Sequence, residues 1–379
     1  MQIRFLTPED HAACMRLSSV TWLHSVDPEE PEENWPPVPT LGYFTDDGDL
    51  ASIIEENPFS VMYDGAQVPY IGIGGVATKP EYRRIGSIRK LFTAMLQSAY
   101  EKGVVFSSLS PFSHEFYRKF GYEMSICQDN YTIEPDLLTA LRGSLPLRRL
   151  EAGEGVRETM EIHNTFAKRY NLCSVRTPEQ QKLHLGGDTY KEEINRFLIG
   201  DGAYVVYKAE RDVKKHLQVL DWAVTEERYF PEILGLFGVY HPMLHTVGIT
   251  VPHDIPVEAY VSTNKKLTHT IDSGHAARVV RVDKALALLQ KPSGCRFTVK
   301  VTDPILPQNN GTWLADGYAA SLCDEPADME CDVSALAPLL LGFYTLDTAA
   351  ANGSVQIHHN AETLRSVFRT KPILITENY

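Results

Sequence analysis

The sequence predicts an α/β protein with mixed sheets, assembled from more than one unit. Three observations carry that expectation. A length of 379 residues exceeds what one ordinary core organises. A composition of 43% hydrophobic and 22% charged residues supplies enough apolar material for substantial cores. Strand-like and helix-like segments also alternate along the whole chain, which is the pattern of layered α/β units.

Taken in order, residues 2–6 (QIRFL) alternate like a strand. Thr7-Pro8-Glu9-Asp10 then opens a helix, with Thr7 as cap and Pro8 in the first turn. Residues 23–48, rich in proline and acid, read as a long loop. PFSVMYDGAQVPYIGIGGVAT reads as two strands joined at Asp64-Gly65. Over residues 86–102 a helix sets Ile88, Leu91, Phe92, Met95, Leu96 and Ala99 on one face. The strand VVFSSLS, the short helix SHEFYRKF and the strand YEMSICQDNYTIE complete a first unit, 1–143. The second unit, 144–276, repeats the plan. Its helices lie in RRLEAGEGVRETMEIHNTFAKRY and ERYFPEILGLFGVYHPML, and its paired strands are AYVVYKA and QVLDWAVT. A third α/β unit, 277–379, contains ARVVRVDKALALLQ, CRFTVKVTD, GTWLADGY and DMECDVSALAPLLLGFYT, and stops at TKPILITENY.

Bulk properties narrow the function classes. No apolar run reaches the ~18 residues of a membrane span, and the N-terminus lacks a signal peptide's apolar core, so a cytoplasmic protein with no membrane partner is expected. The six cysteines (Cys14, Cys127, Cys173, Cys295, Cys323 and Cys331) are scattered without a C-x-x-C pair and read as reduced thiols. A net charge of −13 disfavours nucleic acid as partner and suits a cationic one. Leu17–Thr78 holds no lysine or arginine but eleven acids. Two readings stay open for it: a solvated acidic loop, or a funnel for a cationic substrate.

The stretch EYRRIGSIRKLF, 81–92, poses the main chemical question. It is either a plain turn into a surface helix or an anion cradle. In the second reading free N–H groups and the positive end of the helix dipole receive phosphate oxygens. Gly86 would then admit close approach, Ser87 would add a hydroxyl, and Arg83, Arg84 and Arg89 would supply charge. It is neither a G-x-x-x-x-G-K-[ST] loop nor a G-x-G-x-x-G fingerprint. Ser113, His114, Glu115 and Tyr117 cluster in SHEFYRKFGYE, a helix whose aromatics also suit a core. His241 and His245 have i, i+4 spacing without an acid between them, and His358-His359 diverge, so no metal site is expected. A G-x-S-x-G elbow is absent from the sequence.

Taken together, GVATKPEYRRIGSIRKLF, LSPFSHEFYRKFGYE, FTVKVTDP, NNGTW and KPILITENY resemble the enhanced-intracellular-survival (Eis)-type acetyltransferases, a branch of the GNAT N-acetyltransferases. The resemblance runs over essentially the whole chain. It implies tandem GNAT acyltransferase folds followed by a sterol-carrier-protein-like domain. The catalytic GNAT domain would be 1–143, a degenerate second copy 144–276, and the sterol-carrier-like domain 277–379 would carry a catalytic C-terminus. Acetyl-CoA is the implied co-substrate, with no metal. Val76, Ala77 and Thr78 would line the pantetheine arm. Arg84, Ile85, Gly86, Ser87, Ile88 and Arg89 would wrap the pyrophosphate, and Arg83 and Ser113 complete the cofactor-binding set. Ile88 departs from the R/Q-x-x-G-x-G/A pattern, but its amide still donates.

By the same resemblance Tyr117 is the general acid and the α-carboxylate of Tyr379 the base. An α-carboxylate with a reference pKa near ~3.5 becomes a better base when burial strips its hydration. The acceptor would be a small cationic amine or a lysine: aminoglycoside-like, polyamine or protein. Assembly into homo-oligomers, dimers or hexamers, is expected by analogy. The competing expectation is a catalytically silent scaffold that binds a lipid or a protein partner. Tyr117 and Tyr379 are the residues that separate the two.

Overall fold

The computed structural model describes residues 2–28, 35–141, 143–210, 215–263, 265–377 and 379. The first third of the chain forms β1 (Gln2–Phe5), α1 (His11–Trp22), β2 (Thr40–Phe44), β3 (Leu50–Tyr63), β4 (Ala66–Thr78), α2 (Ser87–Glu101), β5 (Phe106–Leu109), α3 (His114–Arg118) and β6 (Glu123–Ile133). The middle third follows with β7 (Leu147–Arg149), α4 (Val156–Ala167), α5 (Pro178–His184), β8 (Ile194–Ile199), β9 (Ala203–Ala209), β10 (His216–Val224), α6 (Phe230–Gly238), β11 (Thr246–Val251) and β12 (Leu267–Val279). The last third holds α7 (Val282–Leu288), β13 (Arg296–Thr302), β14 (Gly311–Asp316), β15 (Ala319–Leu322), β16 (Met329–Asp332), α8 (Val333–Leu341), α9 (Leu346–Ala351), β17 (Val355–Ile357) and α10 (Ala361–Val367).

One sheet runs through the first two thirds in the order β1-β2-β3-β4-β5-β12-β6-β11-β10-β9-β8-β7. Read from either edge it has the same grammar. Four antiparallel strands lead to a parallel pair, β4–β5 on one side and β10–β11 on the other. The strand after each parallel pair is supplied by the opposite half. β12 lies beside β5, and β6 lies beside β11. β12 therefore runs across position 276/277, where the sequence suggests a boundary.

Amphipathic patterning explains the layers. α2 buries Leu91, Phe92, Met95, Leu96 and Ala99, at i, i+1, i+4, i+5 and i+8, against β2, β3 and β4. The last third builds a second mixed sheet, β15-β14-β13-β16-β17, over α8, a helix buried along its whole length that packs on β12 and β6. Arg278 of β12 and Asp303 after β13, both fully buried, pair across this junction.

Three sequence expectations change. The loop 23–48 contains β2, a strand buried at every position because TLGYF pairs between β1 and β3. β3 begins at Leu50, ahead of the expected start, since LASII is a buried run with no alternation to mark it. The helix expected in ERYFPEILGLFGVYHPML is α6 alone, and a turn with a cis His241-Pro242 bond follows it, so His241 and His245 share no helix face.

Candidate active site

Sheet geometry opens the site. β4 pairs with β5 only from Tyr70 to Ile73, because β5 stops at Leu109. β4 continues to Thr78, leaving the edge beyond Gly74 without a partner strand on that side, while the Thr78 carbonyl accepts from the Thr21 hydroxyl at 3.4 Å. A bulge sharpens the departure: the register between β3 and β4 slips between Ile53 and Glu55, and Gly75 takes φ +52°.

After β4 a 3-10 turn, Pro80–Tyr82, leads to Arg84 at φ +68° and Gly86 at φ +81°. Gly86 is the N-cap of α2. A Cβ there would touch nothing within 4 Å, so glycine is required for its left-handed backbone and not for lack of room. Among the described residues the amides of 84–89 donate to no carbonyl; the first bond of the turn is Lys90 N–H to Gly86. Six successive free amides meet the positive end of a four-turn helix. Arg83, Arg84 and Arg89 pair with no carboxylate among the described residues. Together these residues border a cavity of about 750 Å³.

Of the sequence-predicted cofactor residues, Val76, Thr78, Arg83, Arg84, Gly86, Ser87, Ile88 and Arg89 line that cavity. Ala77 faces the other way, buried with Cys14 and Leu17 against α1. Ile85 is exposed beside the turn. The Ser113 hydroxyl caps α3, accepting from the Phe116 N–H at 3.3 Å. Ser87 turns its hydroxyl inward to Ser52 at 2.7 Å, and Ser52 in turn meets Thr78 at 3.0 Å. What Ser87 offers outward is its amide.

Tyr117 sits on α3, almost wholly buried, with the rings of Phe92, Phe112 and Phe116 around it at 6.0, 5.3 and 5.1 Å. Burial pushes its phenol up to about 12. It therefore carries its proton at neutral pH, as a proton donor must. Its hydroxyl makes no hydrogen bond among the described residues. The Tyr122 hydroxyl, bonded to Ser107 at 2.8 Å, is close enough to feel both Tyr117 and Tyr379.

The tail after α10 crosses both halves of the large sheet. Lys371 Nζ meets Asp64 at 2.6 Å, Asn171 brackets the tail by bonding Pro372 O and Leu374 N–H, and Gln128 donates to Ile375 O at 3.2 Å. Glu377 then enters a buried polar network. Its carboxylate accepts from Arg176 Nε at 2.8 Å, from Ser174 at 2.5 Å and pairs with His184 Nε2 at 2.7 Å, while Arg176 also holds Asp221 at 2.7 Å. Burial alone would raise the Glu377 carboxyl, but the His184 hydrogen bond and the Arg176 charge hold it well below the usual range.

Tyr379 lands on β4. A Cβ on Gly72 would strike its ring at 2.5 Å, and a Cβ on Gly74 would lie 3.0 Å from its carboxyl carbon. The phenol bonds the Tyr70 hydroxyl at 2.6 Å and the Ser108 hydroxyl, and the rings of Phe59 and His275 flank it at 5.9 and 5.7 Å. IGIGG is thus a seat: glycines on one strand face make room for the last residue.

Several described acids of the acidic stretch are paired apart from one another. Glu29, Glu30, Glu32 and Glu33 lie outside the described residues. Asp49 pairs with Lys79, Glu56 with Lys102 and Asp64 with Lys371. Glu55 lies beside Tyr379. Sequence reading missed Glu55, Gly72, Gly74, Arg176, Asp221 and Glu377. Only the two glycines, spaced by two in a strand, carried a visible signal.

Comparison with known proteins bears on the fold that carries this geometry. Residues 2–125 match the acetyltransferase (GNAT) domain, and residues 282–375 match the sterol carrier protein domain. No curated protein matches the sequence. Three solved structures superpose over the whole chain. A GCN5-related N-acetyltransferase from Anabaena variabilis has a TM-score of 0.88 at 19% identity, covering 100% of both chains. A probable N-acyltransferase of unknown function from Enterococcus faecalis gives 0.85 at 20%, covering 100% of this chain and 99% of that one. Eis1 from Mycobacterium abscessus gives 0.84 at 19%, covering 100% of both. At these identities the likeness is one of fold. With a GNAT domain whose β4 edge and α2 start stand open, and a sterol-carrier-like domain behind them, this chain is an acyltransferase of mixed α/β fold.

Proposed function

We propose that the protein is an acetyl-CoA-dependent N-acetyltransferase acting on the primary amine of a cationic acceptor, such as an aminoglycoside-like compound, a polyamine or a lysine. The observation that carries this reading is the run of six free amides, 84–89, at the start of α2 beside the unpaired edge of β4. Their geometry fits a pyrophosphate, and Arg83, Arg84 and Arg89 add the opposite charge. The β4 edge beyond Gly74, which no strand covers, offers backbone groups to an amide-bearing arm such as pantetheine.

When bound, acetyl-CoA supplies a thioester carbonyl open to attack and a thiol leaving group. The protein's own groups handle protons. An alkylammonium, with a pKa near ~10, must lose one before its nitrogen can attack. The Tyr379 α-carboxylate, seated over Gly74, is assigned that proton. Tyr117, neutral and wrapped in aromatic rings, is assigned the donation to the departing sulfur. Phe112, before α3, and Trp22, at the end of α1, both border the cavity and add apolar surface to it. The division into units at 1–143, 144–276 and 277–379 belongs to this proposal, as does assembly into dimers or hexamers, which light scattering would check.

A CoA-release assay over aminoglycosides, polyamines and lysine peptides tests the reading. Release with at least one amine, dependent on Tyr117, supports it. Acetyl-CoA binding with no release from any amine would favour the silent scaffold.

A further inference from the structure

Glu55 is the described acid of the 17–78 stretch that lies beside the Tyr379 carboxyl. A single point, the Cβ position of Gly74, lies 3.0 Å from the Tyr379 carboxyl carbon, 3.2 Å from Glu55 Oε2 and 3.3 Å from Asn57 Nδ2. Glu55 and Asn57 share one face of β3, as residues two apart must. The bulge that swings β4 away from β5 sets Glu55 opposite Gly74, and its carboxyl fills the place where a side chain on Gly75 would go. One buried polar atom at this place, Asn57 Nδ2, lacks a partner among the described residues. The ring of His275 also packs on that of Tyr379.

We propose that Glu55 and the α-carboxylate of Tyr379 act as a carboxyl pair that seats the acceptor's ammonium and takes its proton. This rests on the reading of the tail as the base, and names a second catalytic group for it. As an ammonium enters, its charge offsets both carboxylates. One N–H bond then breaks, its electron pair stays on nitrogen, and the proton is shared between the two carboxyls, which pass from two negative charges to one. That proton goes to solvent before the next cycle, matching the one proton released when an ammonium becomes an amide.

The pairing also remedies the weakness of an α-carboxylate as a base. Like charge nearby favours the protonated form, so each carboxyl raises the proton affinity of the other. Burial already raises the Glu55 carboxyl, and no cation opposes it. The other titratable groups around the pair stay neutral near pH 7. Burial raises the phenols of Tyr70, Tyr122 and Tyr379, and lowers His275. Glu377 remains charged but is tied to Arg176 and His184. Glu56 points to the opposite face of β3, toward Lys102.

Glu55→Gln and Glu55→Asp test the assignment when each is measured for acetyl-CoA affinity and for amine acetylation from about pH 5 to 9. The Gln variant should lose about a hundredfold in kcat with acetyl-CoA affinity unchanged. Its acid limb should move to lower pH, because an unpaired carboxylate has the lower pKa, and the Asp variant should recover part of the rate. Full kcat with an unmoved acid limb in Glu55→Gln would overturn the proposal. A second measurement needs no turnover: the carboxyl of Glu55 is titrated by carbon-13 NMR in the wild type and in protein with one glycine added after Tyr379. Moving the α-carboxylate away should lower the Glu55 midpoint. An unchanged midpoint overturns the pairing even if every amine is inert, whereas a lowered midpoint with no amine acetylated upholds the pair and rejects the acceptor reading instead.

Discussion

The two halves of the large sheet share a strand order and differ at one junction. In the first half β4 enters α2 through Arg84 and Gly86, both left-handed, and leaves six amides free. In the second half β10 enters α6 through a 3-10 turn, Glu227–Tyr229, followed by Pro231. There the amides of Tyr229 and Phe230 are spent on Glu226 and Glu227 carbonyls. Glu232 adds negative charge in the first turn. A phosphate would meet a ready seat in one half and carboxylates in the other. The second half has kept a different task, since Arg176 before α5, itself paired with Asp221 of β10, holds Glu377 of the tail. The same scaffold leaves amides unpaired once and builds a latch once.

Point substitutions test this contrast. The largest effect is expected from Gly72→Leu, whose side chain takes the place of the Tyr379 ring. Turnover should fall by about a thousandfold or more while calorimetric acetyl-CoA affinity stays within a few-fold. Tyr117→Phe should lower kcat by about a hundredfold with an unchanged melting temperature, since only an unbonded hydroxyl is lost. Gly86→Asp should weaken acetyl-CoA by about tenfold to a hundredfold, through backbone strain and a misplaced charge, with little change in the bound complex's turnover.

Glu377→Gln keeps the shape of the latch but removes its charge, and should cost about 2 kcal/mol in urea denaturation. Because the Glu377 carboxyl is depressed in the folded protein, the stability it brings is complete above the ordinary carboxylate range and lost only as pH falls through the depressed value. Limited proteolysis of the tail should therefore show it seated throughout mild acid. The smallest effect belongs to the second half's junction: Glu226→Ala, at an exposed position, should leave acetyl-CoA affinity and turnover unchanged and stability within about 0.5 kcal/mol.

How much of this was legible beforehand depended on range. The cradle was local, written in RRIGSIR, and so was part of the aromatic setting of Tyr117, which Phe112 and Phe116 supply from the same short stretch. β2 was hidden because every one of its side chains is buried, so no alternation showed. The latch was illegible for another reason: Arg176, Asp221 and Glu377 are each ordinary surface residue types, and only the fold brings positions 201 residues apart within 2.8 Å. Glu55 was counted among eleven acids, and nothing in their spacing marked the one that a bulge would turn toward Tyr379.

The exchanged strands bear on how such a chain reaches its native state. β5 cannot be covered until β12, more than a hundred and fifty residues later, has been made. Until then a short, buried-type edge stands open, a surface prone to wrong pairing. Contacts of such long sequence separation slow folding, because chain entropy is lost before the pairing rewards it. A fragment ending after β6 would carry the whole cradle and still present β5 unpaired. The half that carries the start of α2 thus depends, for the covering of β5, on a strand that its sister half supplies.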